Sequence, residues 1–454
     1  MGSGKRALLV NPWIVDFAAY DFWLRPLGLL WLGAFLGEAG LEVDYIDCLD
    51  RTHGSVSGLN LKKRGDGTGS FLKTETPPPE ILDFVPRKYG RYGIPVDAFR
   101  DELDGVEEPD IILVTCSMTY WYPGAFEVVG ILKERFPKAT VALGGRYATL
   151  CEEHALRNSG ADVVLPGPPG SGITEFVKDG TGADVMIPDS FQEWPAPAHG
   201  LHPDGSTATI LFSAGCPFRC SYCVSGLLNE KFETRPVESI VSEIEKLIEE
   251  RRTEHFAIYD DALLACWRSV VEPVLDHVIQ KEYKINFYTP NALHARYIIS
   301  GVAEKMKRAG FSHLRIGYES AEEVFQRETG GKVTNEQFEN AVGNLLDAGY
   351  SGTDIGAYII FGHPDQTAEE IERAIRKVAG LGVEPVLAEY SPIPGSRDFD
   401  KAVKTFKYPP DADPLLHNSS LIMYQHPKIN RSEMESLKKE CMTVREKIRN
   451  GKTL

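Results

Sequence analysis

Between Thr207 and Ser391, apolar strand-like runs alternate with amphipathic helix-like stretches six times. Strands are expected at Thr207–Ser213, Phe256–Tyr259, Ile285–Tyr288, His313–Tyr318, Ile355–Phe361 and Pro385–Ser391. Helices are expected between them, at Val237–Arg252, Trp267–Lys281, Gly301–Ala309, Asn335–Ala348 and Ala368–Leu381. Repeated alternation of this kind is the pattern of a parallel sheet covered by helices. Thr334 with Gln337, and Thr367 with Glu370, form capping boxes at two of the helix starts. Gly310, Gly349 and Gly380 stand where helices should stop. Six units are too few to close an eight-stranded barrel. Residues 207–399 are therefore expected to form a partial (β/α)6 TIM-type barrel, with the loops after each strand gathered at its mouth.

The preceding chain shows the same alternation less regularly. Strands at Arg6–Val10, Leu41–Ile46, Ile111–Cys116 and Thr140–Leu143, helices at Leu27–Ala39 and Ala125–Arg135, and an apolar run at Asp162–Leu165 point to a doubly wound, Rossmann-like domain over 1–185. Residues 51–105 interrupt it with a Gly/Lys-rich piece (62–69), Thr76-Pro77-Pro78-Pro79, and Pro86-Arg87-Lys88-Tyr89-Gly90-Arg91-Tyr92-Gly93. So long an aperiodic run is expected to be a functional loop or a mobile insert: a lid over an anionic ligand, or a solvated surface loop. Pro188, Pro195, Pro197 and Pro203 mark 186–206 as a linker, and 400–454 reads as a C-terminal helical extension ending in an amphipathic helix, Arg431–Arg449.

Composition narrows the partners. Lys and Arg number 49 against 65 Asp and Glu, a net charge of −16, which argues against an affinity resting on a nucleic-acid backbone. The longest apolar-looking stretch, Leu27–Leu36, is far short of the ~20 residues a membrane span needs. The first residues lead straight into Ala7-Leu8-Leu9-Val10, without the regions of a signal peptide. A soluble cytoplasmic protein is the expectation.

Of 8 cysteines, Cys48, Cys116, Cys151, Cys266 and Cys441 are scattered, while Cys216, Cys220 and Cys223 share one loop after the first strand of the expected barrel. That is the face on which such barrels carry their active sites. Thiolates at CxxxCxxC spacing suit three irons of a cubane cluster, leaving the fourth iron open to a ligand. Zinc and plain structural cysteines are the alternatives. Zinc would want a fourth ligand, and no second CxxC or finger-spaced His pair is present.

With an aromatic residue, Tyr222, before the last cysteine, the loop resembles the signature of the radical S-adenosylmethionine (SAM) superfamily. The resemblance continues along the barrel. Tyr259-Asp260-Asp261 ends the second strand, Gly317-Tyr318-Glu319-Ser320 the fourth, Gly356 to Pro364 the fifth, and Pro392-Ile393-Pro394-Gly395-Ser396 the sixth. It implies a [4Fe–4S] cluster on Cys216, Cys220 and Cys223, with SAM held by Tyr222, Asp260, Asp261, Asn291, Glu319, Ser320, Gly362 and Pro394. It also implies reductive cleavage of SAM to a 5′-deoxyadenosyl radical, with an electron donor such as flavodoxin or ferredoxin. Tyr358, His363, Glu389 and Tyr390 lie toward the expected mouth and are candidates for contact with a small-molecule or peptide substrate.

The first domain resembles the cobalamin-binding domain of the class B methyltransferase subgroup. Ser117-Met118-Thr119 follows one strand and Gly144-Gly145 the next, so Ser117, Thr119, Gly144 and Gly145 are the expected cobalamin contacts, and Tyr120-Trp121-Tyr122 could press on the macrocycle. The lower-ligand element DxHxxG is missing: the stretch after the first strand reads Asn11-Pro12-Trp13-Ile14-Val15-Asp16, and His53 reads as a loop residue. The resemblance implies cobalamin-dependent methylation of an unactivated carbon. The alternatives are a cobalamin-independent radical enzyme performing rearrangement, oxidation or carbon–carbon bond formation, and a non-enzymatic iron–sulfur or zinc sensor or assembly protein.

Overall fold

Strand β1 (Arg6–Asn11) is apolar on both faces; Ala7, Leu8, Leu9 and Val10 are completely buried. Such a strand needs cover above and below, as parallel sheets provide. In the computed structural model, which describes residues 4–409 and 411–451, it lies inside a five-stranded sheet. Its partners are β2 (Glu42–Asp47), β3 (Ile111–Thr115), β4 (Thr140–Gly144) and β5 (Val163–Val164), in the order 2-1-3-4-5 with all pairs parallel. In that order the chain reverses direction between β1 and β3, where the strand ends open a crevice for ligands.

The chain divides into two units. The first runs to Thr209 and takes in Ser242–Thr253; the second comprises Ile210–Val241 and Glu254–Leu454.

Two stretches of the first unit are more ordered than their composition suggests. Within 51–105, Lys73–Glu75 and Gly90–Tyr92 form a small antiparallel sheet with Ile14–Asp16, and Val96–Asp104 is a helix. The basic residues there are engaged: Arg91 pairs with Glu127 and lies over the Trp13 ring, and Lys73 donates to the Phe17 and Lys88 carbonyls. Backbone pairing across seventy-odd residues of separation is invisible to local periodicity, which is why the segment looked aperiodic. Residues 186–206 are likewise not a free connector. Phe191 and Trp194 pack edge-on against Trp31 of the helix Leu27–Glu38, and Trp31 Nε1 donates to Pro195 O. Aromatic payload overrides the turn signal of the prolines.

Strand β6 (Thr207–Ile210) spans the boundary between the units. In the second unit, β7 (His255–Ile258) pairs in parallel with β8 (Asn286–Tyr288). A separate parallel sheet runs β9 (Leu293–His294), β10 (Leu314–Glu319), β11 (Ile355–Phe361) and β12 (Glu384–Glu389). Leu314, Ile316, Tyr318, Ile355, Ala357 and Ile359 are fully buried, and Tyr318 stacks on Phe338 of the helix Asn335–Asp347. The opposite face of the same strands presents Arg315, Gly317, Gly356 and Tyr358.

Two expected elements differ. The strand predicted to reach Ser213 stops at Ile210, because the Asp260 carboxylate takes the Phe212 and Ser213 N–H groups that a longer strand would pair. The helix predicted over Trp267–Lys281 begins as a 3-10 turn and a π turn and becomes α-helical only at Glu272. Pro273 lacks the N–H that would continue an α-helix from before it. Both capping boxes at Thr334 and Thr367 are formed. The helix Arg431–Arg449 packs on β12 through Met434, Leu437 and Cys441, and Arg445 and Arg449 bind the buried Glu384.

Candidate functional site

The cysteine loop is built around constraints that only certain residues meet. Gly215 has φ +80°, and a Cβ there would stand 2.4 Å from Lys231 O. Asp260, 4% exposed, accepts from Phe212 N, Ser213 N and Ser213 Oγ at 2.6–3.0 Å. Burial outweighs those hydrogen bonds and raises its carboxyl to about 7. Asp261 accepts from Ser225 Oγ. Phe218 lies between the His294 ring, stacked at 4.7 Å, and the Arg296 guanidinium at 4.9 Å. Burial, with Lys332 and Arg296 close by, lowers His294 to about 3, so that ring is neutral.

All three loop cysteines are free thiols; Cys216 and Cys220 are part-exposed and Cys223 exposed. Burial pushes Cys216 up to about 11, and Asp261 and the other two thiols add to the shift. Among the described residues no three His, Cys, Asp or Glu side chains converge on a point that would hold a single ion. The loop thus offers three free thiols, with Ser225 N–H donating to Cys223 Sγ, an all-sulfur donor set of the kind iron–sulfur clusters take. That donor chemistry fits a cluster larger than one metal.

Beside it lies a residue the sequence reading missed. Lys332 Nζ is 2.6 Å from Glu319 Oε1 and 5.7 Å from the Tyr222 ring centroid. Burial works against its ammonium, yet Glu319 and Cys220 hold its pKa above the usual lysine value. Gly330 and Gly331, both at positive φ, make the approach possible: a Cβ on Gly330 would be 2.9 Å from the Cys220 Cα. Arg296 fixes the turn by donating to the Gly331 and Lys332 carbonyls. Glu319 itself sits at φ +71° where the β10–β11 register slips. A strained non-glycine residue held by its surroundings is a common mark of functional sites. The adjacent glycines before a lysine were the available signal.

Residues 210–378 match the radical SAM superfamily. An uncharacterized methyltransferase of Pyrococcus horikoshii is 25% identical to this chain over 329 residues, covering 65% of the chain and 70% of the relative. The anaerobic magnesium-protoporphyrin IX monomethyl ester cyclase of Rubrivivax gelatinosus is 24% identical over 169 residues, 36% of the chain and 29% of the relative. Among solved structures, the radical SAM methyltransferase TsrM from Kitasatospora setae, with tryptophan substrate and a SAM analogue bound, matches 97% of this chain and 89% of its own with a TM-score of 0.67 at 14% identity. The cobalamin-dependent radical enzyme OxsB, with aqua-cobalamin and SAM bound, covers 100% of this chain and 62% of its own at a TM-score of 0.59 and 14% identity. At such identities the structural likeness speaks for the fold.

The remaining expected SAM and substrate residues have varied settings. Asp260 accepts three hydrogen bonds from the loop it braces. Asn291 Nδ2 donates to Tyr259 O at 2.8 Å, and Ser320 is buried, its hydroxyl accepting from Glu322 N. Gly362 is required by packing, since a Cβ would stand 2.4 Å from Ile422 Cγ1. Pro394 is half-buried. Tyr358 Oη donates to Pro290 O at 3.1 Å, on the same sheet face as Gly317. His363 is 1% exposed and hydrogen-bonded to Asp398, and Glu389 is paired with Lys438; neither is a free mouth residue. Tyr390 is buried, its ring edge-on to His363 at 5.1 Å and its hydroxyl without a hydrogen-bond partner.

At the strand ends of the first unit, Ser117 is half-buried and Thr119 buried. Gly145 has φ +90° and lies so close to the Cys116 and Thr115 chain that a Cβ would meet it at 2.7 Å. A Cβ on Gly144 would meet nothing nearer than Leu165 O at 3.5 Å, so that position is open. Trp121 Nε1 donates to Asp16, and Tyr122 stacks on Tyr147 at 5.6 Å; these rings pack on protein. His53 caps a short helix and pairs with Glu102. The loop after β1 offers no side-chain nitrogen to a metal: Asn11 Nδ2 donates to Asp47, and Trp13 Nε1 to Ile94 O.

Proposed function

We propose that the chain is a cobalamin-dependent radical SAM methyltransferase acting on an unactivated carbon of a small-molecule or peptide substrate. The observation that carries the reading is the loop of Cys216, Cys220 and Cys223, three free thiols braced from every side at the end of strand β6. The two parallel sheets of the second unit are read as one partial (β/α)6 barrel over 207–399, preceded by the cobalamin-type domain over 1–185. Cys216, Cys220 and Cys223 would hold a [4Fe–4S] cluster, which would supply one-electron reduction of bound SAM.

The chain's own contribution is placement. Asp260 and Ser213 hold the start of the loop, and Phe218 is clamped by His294 and Arg296. Lys332 sets a buried positive charge beside thiolates whose cluster carries net negative charge. Tyr222, Asp260, Asp261, Asn291, Glu319, Ser320, Gly362 and Pro394 remain the residues assigned to SAM, with Lys332 added to them. Cobalamin would lie along the strand ends from the β1/β3 crevice to the open Gly144 at the end of β4, with no protein nitrogen from the loop after β1. The likeness to TsrM and OxsB across nearly the whole chain supports this assignment.

Anaerobic reconstitution with iron and sulfide, then assay of 5′-deoxyadenosine and S-adenosylhomocysteine with and without cobalamin, tests the reading. Both products are expected, the second only with cobalamin. Production of 5′-deoxyadenosine surviving Cys216→Ala, Cys220→Ala and Cys223→Ala together would overturn the cluster assignment. Loss of corrinoid on gel filtration, with SAM cleavage intact, would replace methylation by cobalamin-independent radical chemistry.

A further inference from the structure

Ser221 stands between Cys220 and the aromatic Tyr222, and it is 6% exposed. Its hydroxyl donates to Asp398 Oδ2 at 2.5 Å, and its carbonyl accepts from Asp398 N at 3.0 Å. The partner lies 177 residues away in sequence. The same Oδ2 accepts from His363 Nε2 at 3.1 Å.

The direction of each bond can be worked out. Asp365 N donates to His363 Nδ1 at 3.3 Å, which leaves the ring proton on Nε2, facing the carboxylate. His363 O in turn accepts from His426 Nε2 at 3.1 Å. His426 Nδ1 accepts from Lys428 N at 3.2 Å and Ile429 N at 3.0 Å, so its proton is on Nε2 as well. Burial lowers the His426 pKa, in keeping with a neutral ring. Burial would raise Asp398, but hydrogen bonds from His363 and Ser221 outweigh it and keep the carboxyl low. Phe325 and Tyr390 close on His363 edge-on at 5.0 and 5.1 Å. Each polar atom in the line has a partner of the right sense, from the backbone at Ile429 to the residue between two cysteines.

We propose that Ser221, Asp398, His363 and His426 form a positioning relay by which the C-terminal segment holds the cysteine loop in its metal-receiving shape. None of the four touches iron. They are positioning residues, and the inference rests on the loop carrying the cluster. A satisfied buried network of this kind fixes one arrangement, while a half-satisfied one is costly, so deleting the shared acceptor frees the loop.

Hydrogen exchange on the iron-free protein reads the relay without any cofactor. In Asp398→Ala, the amides of Cys216–Cys223 should exchange about tenfold faster, the loss of one to two net hydrogen bonds. Those of Leu314–Glu319 should be unchanged. Iron affinity should fall about 10- to 100-fold, the usual range for a lost supporting contact. The EPR line shape of the reduced cluster that remains should change. Ser221→Ala should move all three readouts in the same direction, and Ser221→Thr, which keeps the hydroxyl, should restore them. His426→Ala should loosen the loop, while His426→Gln, which keeps a donor and an acceptor, should not.

Wild-type exchange at Cys216–Cys223 in both Asp398→Ala and Ser221→Ala would overturn the relay. So would a His426→Ala change confined to the C-terminal segment. Should Asp398→Ala fail to fold, Ser221→Ala against Ser221→Thr decides. A wild-type chain that takes up no iron would refute the cluster and leave the exchange result standing.

Discussion

The strand ends of the first unit and the cysteine loop of the second are both crowded with polar and aromatic groups, but they use them differently. In the first unit those groups satisfy one another: Asn11 with Asp47, Trp121 with Asp16, Tyr122 on Tyr147. What is left open is a surface, Gly144, rather than a reactive atom. In the second unit Asp260 and Arg296 spend their hydrogen bonds on backbone or on a loop hydroxyl, Asp398 spends its own on Ser221 and His363, and the thiols remain outside any disulfide. One region is shaped to be filled; the other is shaped to hold something by bonds.

The widest gap between them is metal. Cys220→Ala should reduce bound iron to background after reconstitution, whereas Cys116→Ala in the first unit should leave iron unchanged. Iron and sulfide analysis on both variants checks this.

The next effect concerns protons. Because Asp260 is raised from 3.8 to about 7, the folded chain keeps a proton that the unfolded chain has released over that interval. The stability this proton gives is complete below about pH 4 and is lost as pH rises through about 7. Asp260→Asn does not titrate. Its stability relative to wild type should therefore climb by up to about 4 kcal/mol between pH 4 and 7 in urea unfolding of the iron-free protein. A pH-independent difference would remove the burial argument for this brace.

Lys332→Met leaves Glu319 buried beside the thiols without its counter-charge, and should destabilise the fold by about 3 kcal/mol. Lys332→Arg should recover part of that. In the first unit, Gly124→Ala would drive a Cβ to 2.1 Å from Trp13 O, a backbone atom. About 2–3 kcal/mol of thermal stability should be lost, with corrinoid uptake reduced and iron uptake intact. At the small end, Lys88→Ala breaks an exposed pair with Glu75 and should cost under about 1 kcal/mol. A larger loss would give the insert a rigidity that its surface pairs do not account for.

The sequence was legible where periodicity and local chemistry act together. Apolar strand runs, the two capping boxes and the CxxxCxxC spacing all concern residues close in the chain. It was opaque where the partner is remote. The small sheet joining Ile14–Asp16 to Gly90–Tyr92 left no periodic trace, and Trp194 turned a proline-rich stretch into a packed one. In the site, the identity of Asp260 was readable but its bracing of the loop was not, because only the fold shows its acceptors facing Ser213. His363 looked like a mouth residue for the same reason. Lys332 escaped because a lone lysine after two glycines acquires meaning only when β10 brings Glu319 beside it.

The 177 residues between Ser221 and Asp398 also set a clock. Synthesis at about 5–20 residues per second makes the cysteines roughly 10–35 s before the carboxylate that braces them. Ile422, which presses on Gly362, and His426 follow later still. Iron offered during translation would meet an unshaped loop. If the relay shapes the loop, metal delivery is expected only after the last helix has docked, to a finished protein rather than a nascent one.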